Sequence, residues 1–177
     1  FADLAGLHMD ANINSAKNFV SVLINNASCC KGNTCTPNPF NWNLAPIALD
    51  TTNNPHGLTL LNLDSDGKLD LVTGEVVDVT SNLNIYMGTG DGTFTNTTNI
   101  NVDITGNIIY KPLLSGDFNK DSKADVALPI NSNNVLIVPG DGNGGLVTPG
   151  VSPFFEPNSS TFRKADFNKD KITDFVT

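Results

Sequence analysis

Three acidic loops of one design recur along this 177-residue chain: Asn62-Leu-Asp64-Ser-Asp66-Gly-Lys-Leu-Asp70, Asp117-Phe-Asn119-Lys-Asp121-Ser-Lys-Ala-Asp125 and Asp166-Phe-Asn168-Lys-Asp170-Lys-Ile-Thr-Asp174. Side-chain oxygens at the first, third and fifth places of a tight turn converge on one point, and the ninth carboxylate returns to close the cage. The seventh place contributes a backbone carbonyl, which makes Lys68, Lys123 and Ile172 acceptable there. Hard oxygen ligands in a flexible shell suit Ca²⁺ better than Mg²⁺ or zinc. Three copies predict about three calcium ions, and their repetition predicts a repeat array.

An EF-hand begins similarly but needs a bidentate carboxylate at the twelfth place and flanking helices. The twelfth places here are Thr73, Leu128 and Thr177. The residues after the ninth place are β-branched or apolar (Leu71-Val72-Thr73, Val126-Ala127-Leu128, Phe175-Val176-Thr177), which reads as a strand. The sixth place is Gly67 in the first loop but Ser122 and Lys171 in the others. A left-handed residue with a Cβ costs roughly 1 kcal/mol, so weaker affinity is expected there.

The loops begin at residues 62, 117 and 166, separations of 55 and 49, in the range of propeller blades. Each is followed by a strand, then by a second apolar strand that runs into a glycine turn. Those turns lie in Leu83-Asn-Ile-Tyr-Met-Gly-Thr-Gly90-Asp-Gly-Thr-Phe94 and Asn134-Val-Leu-Ile-Val-Pro-Gly140-Asp-Gly-Asn-Gly-Gly-Leu146. Their Gly-Asp-Gly segments supply the positive φ of a tight hairpin. A third strand, as in Ile108 to Leu114, leads toward the next loop. Convincing helical periodicity is absent, apart from a weak pattern near the start. The fold class expected is all-β, with repeats over roughly 1–58, 59–113, 114–163 and 164–177.

The first unit is degenerate. Phe1-Ala-Asp3-Leu-Ala-Gly-Leu-His-Met-Asp10 aligns with the third loop, but Ala5 and Leu7 occupy ligand places, so no metal is expected there. Its second strand, residues 18–25, is retained. An insertion from Asn26 to Pro46 replaces the glycine turn and carries Pro39-Phe40-Asn41-Trp42 and all three cysteines, Cys29, Cys30 and Cys35. Four-ligand zinc spacing is missing. A disulfide between Cys35 and either Cys29 or Cys30 is expected instead, which implies an oxidising compartment and leaves one cysteine free or paired with another chain. Three sequons, at Asn26, Asn96 and Asn158, agree with secretion. The extracellular space or the cell surface is the expected location.

These features together resemble the FG-GAP or VCBS repeat family, calcium-loop repeats that build the seven-bladed β-propeller of integrin α subunits. The resemblance implies that each loop joins two strands of a blade and binds Ca²⁺. It assigns as ligands Asn62, Asp64, Asp66 and Asp70; Asp117, Asn119, Asp121 and Asp125; and Asp166, Asn168, Asp170 and Asp174. The departures are the dead loop at Asp3, the missing glycines at 122 and 171 and the cysteine insertion. Three repeats and a fraction fall short of the about four to eight blades of a closed propeller. A partial propeller is therefore expected, completed by a longer polypeptide or by neighbouring chains; the start at Phe1 rather than Met agrees with a processed chain or a segment.

Composition narrows the function. The net charge of -8 argues against nucleic acid, and nine of the eighteen acidic residues lie in the three loops. No run approaches the ~20 apolar residues of a membrane helix. Neither His8 nor His56 adjoins a nucleophile motif, and Gly-x-Ser-x-Gly, HExxH and phosphate-binding glycine loops are absent, so no enzyme is expected. His56, in Asn-Pro-His-Gly, reads as a turn residue. The leading expectation is a non-enzymatic, calcium-stabilised propeller for adhesion, recognition or surface and filament structure, with a protein or glycan partner on its loops. A lectin is the alternative, with Trp42 as its candidate ligand contact and Phe40, Tyr86 and Tyr110 as further stacking faces or as packing between blades. An accessory propeller of a larger secreted enzyme is the third.

Overall fold

The computed structural model describes residues 4–8, 19–25, 40–41, 47–48, 55–77, 80–102, 112–130, 134–148, 154–155 and 163–176. Among them the chain is all-β and every strand pairing is antiparallel. Four sheets follow one another along the sequence.

The most complete is a four-stranded meander of β5 (Pro55–Leu61), β6 (Asp70–Val77), β7 (Thr80–Gly88) and β8 (Phe94–Asn101). The next repeats its order with β9 (Leu114–Gly116), β10 (Asp125–Ile130), β11 (Asn134–Val138) and β12 (Phe154–Phe155). A third begins with β13 (Arg163–Ala165) and β14 (Asp174–Val176). In each, an acidic loop joins the first strand to the second, so these are propeller-blade-like sheets, present as a partial set.

Preceding them is a sheet of β1 (Leu4–His8), β2 (Phe19–Asn25), β3 (Phe40–Asn41) and β4 (Ile47–Ala48). The alignment of residues 1–10 with an acidic loop is corrected here. Leu4 to His8 pair in unbroken register with Phe19 to Leu23. Without oxygens at the third and fifth places nothing favours a turn, and an apolar segment satisfies its backbone in a ladder instead. Phe40, placed in the insertion, belongs to β3 and pairs opposite Asn25.

His56 is likewise a strand residue. It lies in β5 beside a register shift between Pro55 and Leu58, and Gly57 takes φ 77 there. The sequence Pro-His-Gly marks a bulge rather than a turn. The strand β8 was not expected from Phe-Thr-Asn-Thr-Thr-Asn-Ile-Asn, which lacks apolar alternation. It forms because an outer strand can expose polar side chains, here Thr95, Thr98, Asn99 and Asn101, while its backbone pairs with β7.

Central strands are buried on both faces. Leu71, Val72, Thr73 and Glu75 of β6 and Leu83, Asn84, Ile85 and Tyr86 of β7 are all buried. One core spans the two full sheets, with Leu61, Leu63, Val72, Leu83 and Ile85 of the earlier meeting Val126, Leu128, Leu136, Val138 and Leu146 of the later. A smaller cluster forms where Ala127 and Val135 meet Leu114, Phe118 and Ile137. Along this direction one face of a sheet covers the opposite face of the next.

Candidate metal centre

Each acidic loop is built from the same backbone bonds. The third-place side chain caps the turn, with Asp64 Oδ1 accepting from the Asp66 amide at 3.0 Å, Asn119 Oδ1 from Asp121 at 2.9 Å and Asn168 Oδ1 from Asp170 at 3.0 Å. The fifth-place carboxylate then accepts from the seventh amide: Asp66 from Lys68 at 2.8 Å, Asp121 from Lys123 at 2.9 Å and Asp170 from Ile172 at 2.8 Å. This is the local bonding for which Asp and Asn favour turns.

The first place differs between loops. Asp117 accepts from the amides of Asp121 and Ser122, and Asp166 from those of Asp170 and Lys171. Asn62 does not repeat this: its Oδ1 is buried and has no hydrogen-bond partner among the described residues.

Positive φ recurs twice in every loop. The sixth place has it at Gly67 (φ 86), Ser122 (φ 66) and Lys171 (φ 70). The fourth place has it too, at Ser65 (φ 64), Lys120 (φ 66) and Lys169 (φ 64), where no glycine in the sequence signals it. Alternating left-handed residues turn successive amides inward, where the capping oxygens meet them.

The ninth carboxylate ties the loop to the rest of its sheet. Asp70 Oδ2 accepts from the Leu63 amide and Oδ1 from the Gly88 amide, both at 2.8 Å. Asp125 repeats this with Phe118 at 2.9 Å and Gly140 at 3.0 Å. Asp174 accepts from Phe167 at 2.9 Å. Asp70 and Asp125 are essentially inaccessible, and burial pushes the Asp125 carboxyl up while the two amides counter it. Gly88 and Gly140 are required for closeness: an added Cβ would lie 2.0 Å from the Leu69 carbonyl oxygen and 2.1 Å from that of Ala124. Loop and glycine turn are thus one unit at one end of the sheet, a linkage that the separate motifs did not reveal.

The glycine turns are self-capped. Gly90, Gly92, Gly142 and Gly144 all have positive φ. Asp91 accepts from the Thr93 amide and from both threonine hydroxyls, which holds its carboxyl at about 2. Asp141 accepts from the amides of Asn143 and Gly145, which also lower it.

Lys68 at the seventh place forms an ion pair with Asp66 at 2.6 Å, which lowers the carboxyl and raises the amine. Among the described residues no group of three or more His, Cys, Asp or Glu side chains is gathered as a metal cluster. The loops present asparagine oxygens as well as carboxylates, engaged by their own amides. A cleft of about 400 Å³ opens between the first two loops, lined by Asn62, Ser115, Asp117, Ser122, Lys123 and Lys164. Lys164 donates to the Ser115 carbonyl and hydroxyl, while Ser115 Oγ donates to the Leu60 carbonyl at 3.0 Å. These residues stand two places before successive loops and lace one sheet to the next.

The second place was not singled out from sequence. Leu63 is buried and Phe118 half-buried, whereas Phe167 is 59% exposed. Hydrophobicity of an otherwise polar loop at that place was the available signal. Tyr86 is 2% exposed, which corrects its candidacy as a stacking face and leaves it a packing residue. The Asn96 position lies in β8 opposite Tyr86. Cys29, Cys30, Cys35, Trp42, Tyr110, Asn26 and Asn158 lie outside the described residues.

Compared with protein families, residues 62–128 match the model of the FG-GAP-like repeat. That segment runs from the first acidic loop to the strand after the second. A comparison with curated proteins returned no match.

Proposed function

Residues 62–128 match the FG-GAP-like repeat, and from that premise we propose that the chain is a calcium-clamped, non-enzymatic propeller-type scaffold of the extracellular space that presents loops to a protein or glycan partner. The observation that carries the calcium reading is Asn62 Oδ1, an acceptor oxygen buried at the first place of its loop without a donor among the described residues. A buried polar atom without a partner is costly, and a hard cation is the partner that an all-oxygen loop selects. Asn62, Asp64, Asp66 and Asp70 would hold the ion in the first loop, with the Lys68 carbonyl as a further ligand. The equivalents are Asp117, Asn119, Asp121, Asp125 and the Lys123 carbonyl, and Asp166, Asn168, Asp170, Asp174 and the Ile172 carbonyl. The bound cation supplies charge neutralisation among carboxylates that otherwise repel.

The chain's own residues prepare for this in two ways. Asp70 and Asp125 fix the loop against the glycine turn, so ordering one orders the other. Lys68 supplies part of the neutralisation in the metal-free state, at the cost of competing with the ion for Asp66. The functional consequence is mechanical: a clamp at one end of each sheet that carries an acidic loop holds the strand connections from which a recognition surface is built.

Thermal unfolding in calcium and in chelator tests the reading. An ion that binds only the folded chain stabilises it by about 2.7 kcal/mol per site at a hundredfold excess over Kd. A large calcium-dependent rise in midpoint is expected, and identical midpoints would overturn the calcium clamp.

A further inference from the structure

The buried face of the β5–β8 sheet opposite the main core carries a set of polar groups that the loop chemistry does not use. Thr73 and Glu75 on β6 stand directly opposite Asn84 and Asn82 on β7. Thr73 is fully buried, Glu75 is 4% exposed and Asn84 6%. Among the described residues four atoms of this patch have no hydrogen-bond partner: Thr73 Oγ1, Glu75 Oε2, Asn82 Oδ1 and Asn84 Nδ2. Asn99 supplies the patch with a donor, its Nδ2 reaching Asn84 Oδ1 at 2.7 Å and Glu75 Oε1 at 3.2 Å.

The next sheet shows what this face is when it serves only as core. Its register is the same, with Val126 opposite Val138, Leu128 opposite Leu136 and Ile130 opposite Asn134. The corresponding pairs here are Leu71 with Tyr86, Thr73 with Asn84 and Glu75 with Asn82. Leu128 and Leu136 are replaced by Thr73 and Asn84, and Ile130 by Glu75. Thr73 and Asn84 thus stand buried where the next sheet buries Leu128 and Leu136.

We propose that this face holds a monovalent alkali cation between Glu75 Oε2, Asn82 Oδ1 and Thr73 Oγ1. Directly opposed and next-but-one residues on one sheet face lie within reach of each other's side-chain ends. An isolated buried carboxylate is costly unless a cation or hydrogen bonds compensate it. The three unpartnered oxygens offer hard ligands, and the carboxylate is the single formal charge among them. Charge balance therefore selects Na⁺ or K⁺. A divalent ion would leave a net positive charge in a buried site and forgo the multiple carboxylates that it prefers. The site is separate from the acidic loops, and its occupancy would stabilise the sheet without engaging their ligands.

The test is thermal unfolding of the full chain in sodium, potassium and choline chloride at equal ionic strength, with calcium held constant. The midpoint in sodium or potassium is expected to exceed that in choline by at least about 2 °C. The difference should vanish in Glu75→Gln, whose amide needs no counter-ion. Equal midpoints in all three salts, or a difference that survives in Glu75→Gln, would overturn the proposal. Should Glu75→Gln not fold, Thr73→Val, which imitates the aliphatic Leu128, is expected to raise the alkali-ion concentration for half-maximal stabilisation about threefold. An unchanged concentration would overturn the proposal. Failure of the loop reading would appear instead as indifference to calcium, with this salt comparison unaffected.

Discussion

The carboxylate of Asp125 satisfies two backbone amides from different turns, Phe118 in its own loop and Gly140 beyond the next strand, while fully buried. Asp125→Ala removes both acceptors at once. Each orphaned buried group costs about 1–3 kcal/mol, so the variant is expected to lose about 2–4 kcal/mol in denaturant unfolding without calcium. Asp174→Ala, in the exposed third loop, should lose about 1 kcal/mol or less. Equal losses would show that the link to the glycine turn contributes nothing. A second residue-scale prediction concerns pH. Hydrogen bonds from Thr89 and Thr93 hold Asp91 at about 2, below its ordinary 3.8. Its contribution is therefore present above about pH 4 and is lost as pH falls toward 2. In acid unfolding, Asp91→Asn should lose this part of the pH dependence; an unchanged profile would contradict the assignment. At this scale the sequence exposed which oxygens cap the loops, because residue type and spacing carry that information. It concealed the left-handed Ser65, Lys120 and Lys169, because none is a glycine.

Within a sheet, the acidic loop and the glycine turn close on each other through contacts too tight for a side chain. Gly140→Ala would place its Cβ 2.1 Å from the Ala124 carbonyl oxygen. Relief requires backbone movement, and overpacking of this kind costs about 1–3 kcal/mol. Denaturant unfolding should show that loss; wild-type stability would mean that the turn is not held against the loop. The loops, the strands after them and the glycine turns were legible because each has a local cause, whether Asx capping, β-branched runs or positive φ. The strand β8 was not, because Thr and Asn at an outer position are held by pairing with β7 rather than by their own pattern. The strand β1 was missed for the opposite reason. Its likeness to an acidic loop lay in residues flanking the places that make the turn, while Leu4 to His8 were free to pair with β2.

At the largest scale, the described sheets from β5 onward are held by stacking one on the next, through the shared core from Leu61 to Leu146 and the Leu60, Ser115 and Lys164 lacing. The spacing of the loops made repetition legible, since one repeat carries one loop. The choice of face did not follow from spacing. It rests on register, and a central strand buried on both sides has no alternation to reveal which side meets which neighbour. Thr73, Glu75 and Asn84 show the consequence, being polar residues in strands that composition would assign to the surface. Whether the repeated loops are calcium sites is tested most directly by counting ions on the intact chain by native mass spectrometry. Three calcium ions are expected, falling to two in Asp64→Ala/Asp66→Ala. No retained calcium, or an unchanged count in that variant, would contradict it.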